Sequence, residues 1–245
     1  MDRRDTAVTL PWMGAGTELL TRAVGALPDD ALRAPSALPG WNRAHVVAHV
    51  ARNAEALTRL ATWARTGIET PMYPSREARA AEIESSSQAP VDVLRAELVS
   101  TAADLDAALA ALDETTWRSE VRTAQGRPIP AAEIPWMRVR EVWLHAVDLD
   151  AGVSVAEIAP DVVDTLLDDS TGTLSAAEGC PSAVLAPTDR ERTWTLGPAS
   201  DEPLRVRGDA AQVLGWLVGR TGADALEAVG ADGAPTAVPA PPRWL

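Results

Sequence analysis

The sequence predicts an α+β chain, with a helical bundle over residues 1–150 followed by a small α+β domain over 151–245. Three observations carry this prediction. Apolar residues recur at helical spacing through four long stretches of the first part. Past Ala151-Gly152 the pattern changes to short β-like runs. A chain of 245 residues that is 46% hydrophobic suffices for one large core or two small ones.

The first helix is expected over residues 6–26, where Leu19, Leu20, Ala23 and Val24 share a face. Gly14 and Gly16 weaken its start. Leu38-Pro39-Gly40 breaks the chain, and Asn42 is placed to cap a second helix over 43–66. There Val46, His49, Val50, Asn53, Leu57, Leu60, Ala61 and Ala64 keep the helical period. Residues 67–90 read as a connector with an Ala- and Glu-rich short helix over 75–84, and Ser85-Ser86-Ser87 as a second break. Such a long link permits a crossover between helices. The third long helix spans 91–112, with Val91, Leu94, Leu98, Leu105, Leu109 and Leu112 in phase. Residues 117–130 are extended, with a hairpin turn at Gln125-Gly126, and a fourth helix covers 131–150.

In the second part, Asp161 is placed to cap a helix over 161–169 that buries Val162, Val163, Leu166 and Leu167. Strand-like runs follow at 182–185, 193–196 and 204–206. A further helix over 210–219 is apolar through Val213, Leu214, Leu217 and Val218, with Arg220 just past its end. By itself Arg220 reads as a cation favourable to that helix terminus. The tail is Pro-rich.

The totals exclude several functions. Net charge is −13, which argues against nucleic acid and anionic membrane as partners. An acidic small molecule would need a local basic feature. All 22 basic residues are Arg, and nine Trp and one Tyr with no Phe supply the aromatics, a bias that fits a GC-rich coding sequence. The single cysteine, Cys180, forbids an intrachain disulfide and suits a reducing cytosol. Cys180 has no nearby His and reads as a passive small residue. No signal peptide or membrane span is expected, so the chain is placed in the cytoplasm. A site closed within one chain makes a monomer sufficient.

The chemistry concentrates in residues 136–148. Stepping by three and four puts Ile134, Arg138, Glu141, His145 and Asp148 on one helical face. An ordinary core helix carries Leu and Val there. Glu141 and His145, one turn apart, can bind one metal ion together, although such a pair alone is most often a solvated contact. The other two histidines, His45 and His49, are also one turn apart, on the second helix. Either could complete a His-Glu-His triad that leaves one metal position open. His49 lies on the buried stripe, whereas His45, nearer the helix start, is the better second-shell or substrate-facing group. Arg138 and Asp148 are second-shell candidates, with a plain structural ion pair as the alternative for each. Such ligands suit zinc, while Ni, Co or Fe could also bind.

Several stretches together resemble the mycothiol-dependent maleylpyruvate isomerase family of the DinB-like metal-dependent helical-bundle superfamily. They are Gly40-Trp41 with residues 44–53; Thr66-Gly67 through Glu69-Thr70-Pro71-Met72-Tyr73; Thr123-Ala124-Gln125-Gly126-Arg127; residues 136–148; Gly219-Arg220; and the closing Pro241-Pro242-Arg243-Trp244-Leu245. The resemblance implies a DinB-like four-helix bundle and a zinc held by His49, Glu141 and His145. It also implies a functional arginine in the second domain, matching Arg220. The implied reaction, of the gentisate type of aromatic degradation, converts maleylpyruvate to fumarylpyruvate. Mycothiol adds as thiolate, the bond rotates, and the thiolate is eliminated. Arg220 would pair with a substrate carboxylate or the enolate of the adduct. Two other readings fit the same residues: a mycothiol S-transferase that consumes the thiol on another electrophile, and a non-enzymatic metal-binding bundle.

Overall fold

The structure, a computed structural model, describes residues 2–244. The chain divides into two compact units, Met1–Val153 and Ser154–Leu245.

The first unit is the four-helix bundle. Helix α1 (Thr6–Ala26) packs on α5 (Ile134–Asp148), and α2 (Arg43–Thr66) packs on both α4 (Val91–Ala110) and α5. A shorter helix, α3 (Arg76–Ser87), lies on α2. The serines expected to break the chain after it are its last turn, because Ser87 is fully buried and its hydroxyl donates to Glu84 O.

Two of the bundle's long helices start at a side-chain cap. Asn42 caps α2 by accepting from His45 N at 3.1 Å, and Asp5 caps α1 by accepting from Ala7 N at 3.1 Å. Helix α2 ends at Gly67, whose φ of 71° is the left-handed conformation that glycine adopts without a Cβ clash. In α1, Gly16 lies directly against α5. A Cβ there would lie 2.5 Å from Val142 Cγ2 and 2.7 Å from Trp143 Nε1. The glycine that weakens the helix locally therefore admits the partner helix. Helix α5 follows a hairpin of β1 (Glu120–Arg122) and β2 (Pro128–Pro130), with buried Val121 opposite Ile129. Its far end is tied to the start of α2, because Arg43 donates to Leu149 O at 2.7 Å and also to Asp150 O.

The second unit pairs helix α6 (Pro160–Leu174) with α7 (Ala210–Leu217) beside a five-stranded sheet. The strands are β3 (Ala183–Leu185), β4 (Trp194–Leu196), β5 (Leu204–Arg207), β6 (Glu227–Val229) and β7 (Pro235–Thr236). Their order is β4-β3-β5-β6-β7, with only β3 and β5 parallel. Two differences from the sequence reading stand out. Asp161 is not the cap of α6, since Pro160 takes the first helical position and Ala159 precedes it with no side-chain cap. The Pro-rich tail supplies β7, whose proline sits on a sheet edge where a missing N–H is tolerated. No helix among the described residues is long and apolar enough to cross a membrane.

Candidate metal centre

Helices α2 and α5 bring His49, Glu141 and His145 together, with one ligand atom from each lying within 4.8 Å of the others. Glu141 Oε2 is 2.9 Å from His49 Nε2 and 3.3 Å from His145 Nε2. The two imidazoles meet edge to face, with ring centroids 4.7 Å apart. His49 is 4% exposed, while Glu141 keeps 21% of its side chain accessible. The cluster is thus buried at His49 and reachable at Glu141 and His145.

The helical repeat explains the placement. Glu141 and His145 are one turn apart on α5, and His49 comes from the stripe of α2 that faces the bundle interior. Asp148, 1% exposed and three residues on, holds His145 from behind, with its Oδ2 2.9 Å from His145 Nδ1. The ring therefore carries a proton on Nδ1 and turns Nε2 to the centre, as in the carboxylate–histidine pairs of metal sites.

Charges divide unequally over the two rings. Burial lowers His49, to about 4, against the opposing pull of Glu141. Burial acts the same way on His145, but hydrogen bonds and charge from Asp148 and Glu141 outweigh it and raise that ring to about 9. His145 has two carboxylates, whereas His49 has one and a nearby cation, Arg79. Burial alone would raise Glu141, yet its hydrogen bonds to His145 and His49 hold it well below the usual carboxylate range.

The remaining candidates sit further out. Arg138 is 1% exposed, and its Nη1 donates to Val50 O at 2.7 Å and Asn53 Oδ1 at 2.9 Å. It ties α5 to α2 next to His49 and one turn before Glu141, and burial lowers its pKa to about 10. His45 lies outside the cluster: its Nδ1 is 2.7 Å from Asn42 Oδ1 in the cap of α2, and its Nε2 is 3.1 Å from Glu84 Oε2. Trp41 links the two histidines of α2, stacked on His45 and tilted against His49 at 5.5 Å.

Sequence reasoning missed Arg79, and it singled out its platform Tyr73 only as part of the connector that carries the resemblance. The guanidinium of Arg79 reaches back from α3 to within 3.2 Å of His49 Nδ1 and lies 5.6 Å from the Tyr73 ring centroid. A short Ala/Glu-rich helix carries no sign that one of its arginines faces a ligand. The only available signal was the odd Tyr in the connector, the single one in the chain.

Arg220 belongs to the second unit. It follows Gly219, its backbone N–H donates to Gly215 O at 2.7 Å, and its guanidinium donates to Val218 O. The ring of Trp244 lies 6.0 Å from it, brought back by the tail, which Trp216 Nε1 anchors through Pro239 O at 3.2 Å.

The donor set fits a divalent transition metal. Two imidazole nitrogens and one carboxylate oxygen converge, one imidazole is oriented by a carboxylate, and three ligands leave a position for an exogenous group.

A family model described as the mycothiol maleylpyruvate isomerase N-terminal domain matches residues 13–150. Another, described as the MDMPI C-terminal domain, matches residues 157–240. A crystal structure of mycothiol-dependent maleylpyruvate isomerase superposes with a TM-score of 0.88 at 36% identity, covering 100% of this chain and 98% of that one. A crystal structure of a histidine-to-alanine mutant of mycothiol-dependent maleylpyruvate isomerase gives the same values. No curated protein matches the chain.

Proposed function

The chain belongs to the mycothiol maleylpyruvate isomerase family, and from that premise we propose that it is a zinc- and mycothiol-dependent cis–trans isomerase converting maleylpyruvate to fumarylpyruvate. The observation that carries the proposal is the convergence of His49, Glu141 and His145, with Asp148 behind His145. We place the reaction in gentisate-type aromatic degradation and the protein, as a monomer, in the cytoplasm.

Cis–trans conversion needs the conjugated double bond to become single long enough to rotate, and reversible addition of a thiol across it supplies that chemistry. A free thiol has a pKa of about 8.5, and a divalent metal would bring it to the ionised form at neutral pH. His49 Nε2, Glu141 Oε2 and His145 Nε2 are the atoms that would hold the metal. They would act as ligands rather than as acid or base. Asp148 keeps the proton of His145 on Nδ1, away from the metal. Glu141 stays ionised at any working pH, because both histidines favour its charge.

The chain's own thiol does not suit the role. Cys180 is 8% exposed and burial pushes its pKa up, so it is protonated and shielded. An external thiol is therefore required, which supports mycothiol as co-substrate. We assign Arg220 the task of pairing with a substrate carboxylate through its planar guanidinium.

The test is turnover of maleylpyruvate by protein of measured metal content, with mycothiol in catalytic amount. Trans product in many-fold excess over an unchanged thiol pool is expected. Stoichiometric loss of thiol would make the protein an S-transferase instead. No turnover with the metal site full would leave a metal-binding bundle without this activity.

A further inference from the structure

Arg79 is a half-buried cation beside a proposed metal ligand, in a chain with 35 acidic residues. Among the described residues no carboxylate pairs with it; it meets His49 Nδ1 at 3.2 Å and Tyr73, over whose ring it lies and with whose side chain it also hydrogen-bonds. A guanidinium only donates hydrogen bonds. His49 Nδ1 must therefore accept, and the ring proton sits on Nε2, where it donates to Glu141 Oε2 at 2.9 Å. That tautomer cannot ligate through Nε2, which has no free lone pair. Ligation requires the proton on Nδ1, and an Nδ1–H cannot face the Arg79 donor.

The two states of His49 are thus mutually exclusive, and passing between them moves one ring proton from Nε2 to Nδ1 with none gained or lost. We propose that filling the metal centre frees Arg79 from His49, and that the freed guanidinium, carried on the Tyr73 ring, is a carboxylate-binding group of the site. The ligand class is a small carboxylate, since one guanidinium binds one carboxylate in bidentate fashion. The choice of substrate rests on the isomerase reading; the exchange at His49 does not.

Two measurements test this without turnover. Long-range proton–nitrogen spectra of histidine-labelled protein should show His49 with its proton on Nε2 when metal-free and on Nδ1 when zinc-loaded. The zinc-loaded protein should bind maleate, an unreactive cis dicarboxylate, about tenfold more weakly in Arg79→Met, with part of that loss restored in Arg79→Lys. A proton already on Nδ1 in the metal-free wild type would overturn the exchange, and this needs no variant to fold. Maleate affinity unchanged in zinc-loaded Arg79→Met would overturn the role in binding. Absence of isomerase turnover would count against the proposed function while leaving both readings interpretable.

Discussion

Asp148 Oδ2 lies 2.9 Å from His145 Nδ1, and this contact settles which nitrogen of His145 faces Glu141. Asp148→Asn offers an amide that can donate to Nδ1 and so favours a proton on Nε2, the wrong tautomer for a ligand. We expect zinc affinity to fall by about 10–100-fold, the range for lost outer-shell partners of metal ligands. Titration calorimetry on the folded variant checks it, and unchanged affinity would show that α5 geometry alone orients the ring.

The metal-free protein should be most stable near the ordinary histidine pKa of 6.5. His145 is raised to about 9, so between 6.5 and 9 the folded state holds the extra proton and stability falls as pH rises. His49 is lowered to about 4, so between 6.5 and 4 the unfolded state takes the proton and stability falls as pH drops. Denaturant midpoints at pH 5, 6.5 and 8.5 should trace this dome. A monotonic trend across that range contradicts it.

Zinc binding at neutral pH should release about one proton, the one on His145, because His49 is already neutral. Affinity then climbs with pH until near 9. Calorimetry in buffers of different ionisation enthalpy reads the proton count, and identical heats in all buffers would refute it.

Zinc at about 100 times its Kd should stabilise the fold by roughly 2.7 kcal/mol. For a chain of this size that is a rise in Tm of roughly 5–10 °C. A chelator should reverse it, and His145→Ala should abolish it. A full zinc shift in His145→Ala would place the ion elsewhere.

Two glycines of α1 should respond oppositely to alanine. Gly14 has open space where a Cβ would go, so Gly14→Ala should stabilise by about 0.5–1 kcal/mol through helix propensity. At Gly16 the new Cβ meets Val142 and Trp143 at under 3 Å, and Gly16→Ala should cost roughly 1–2 kcal/mol net of that gain. Trp143 is also held by its donation to Trp12 O at 3.0 Å, which limits its retreat. Melting curves of the pair decide the matter, and shifts of equal sign would refute the packing argument.

The helices α1, α2, α4 and α5 were legible because each buries a continuous apolar stripe, and a stripe is a local, periodic signal. Glu141, His145 and Asp148 stood out for the same reason, as ionisable groups on a face where a core helix carries Leu or Val. The short strands β6 and β7 were not legible. Three residues and two residues hold no period, and they become strands only because β5 offers a ladder to β6 and β6 in turn offers one to β7.

By itself the sequence determined the order of the helices and the chemistry available on them: three histidines, a carboxylate one turn from one of them, and an aspartate three residues further on. Spacing along a helix is set by backbone geometry, so those placements needed no tertiary information. The apolar stripe of α2 already favoured His49 over His45, and the tertiary structure turns that stripe toward Glu141 and His145 on α5. Only the tertiary structure brought Arg79 to His49 from 30 residues away. Contacts between helices depend on how ridges and small residues such as Gly16 let them approach, and no local pattern encodes that.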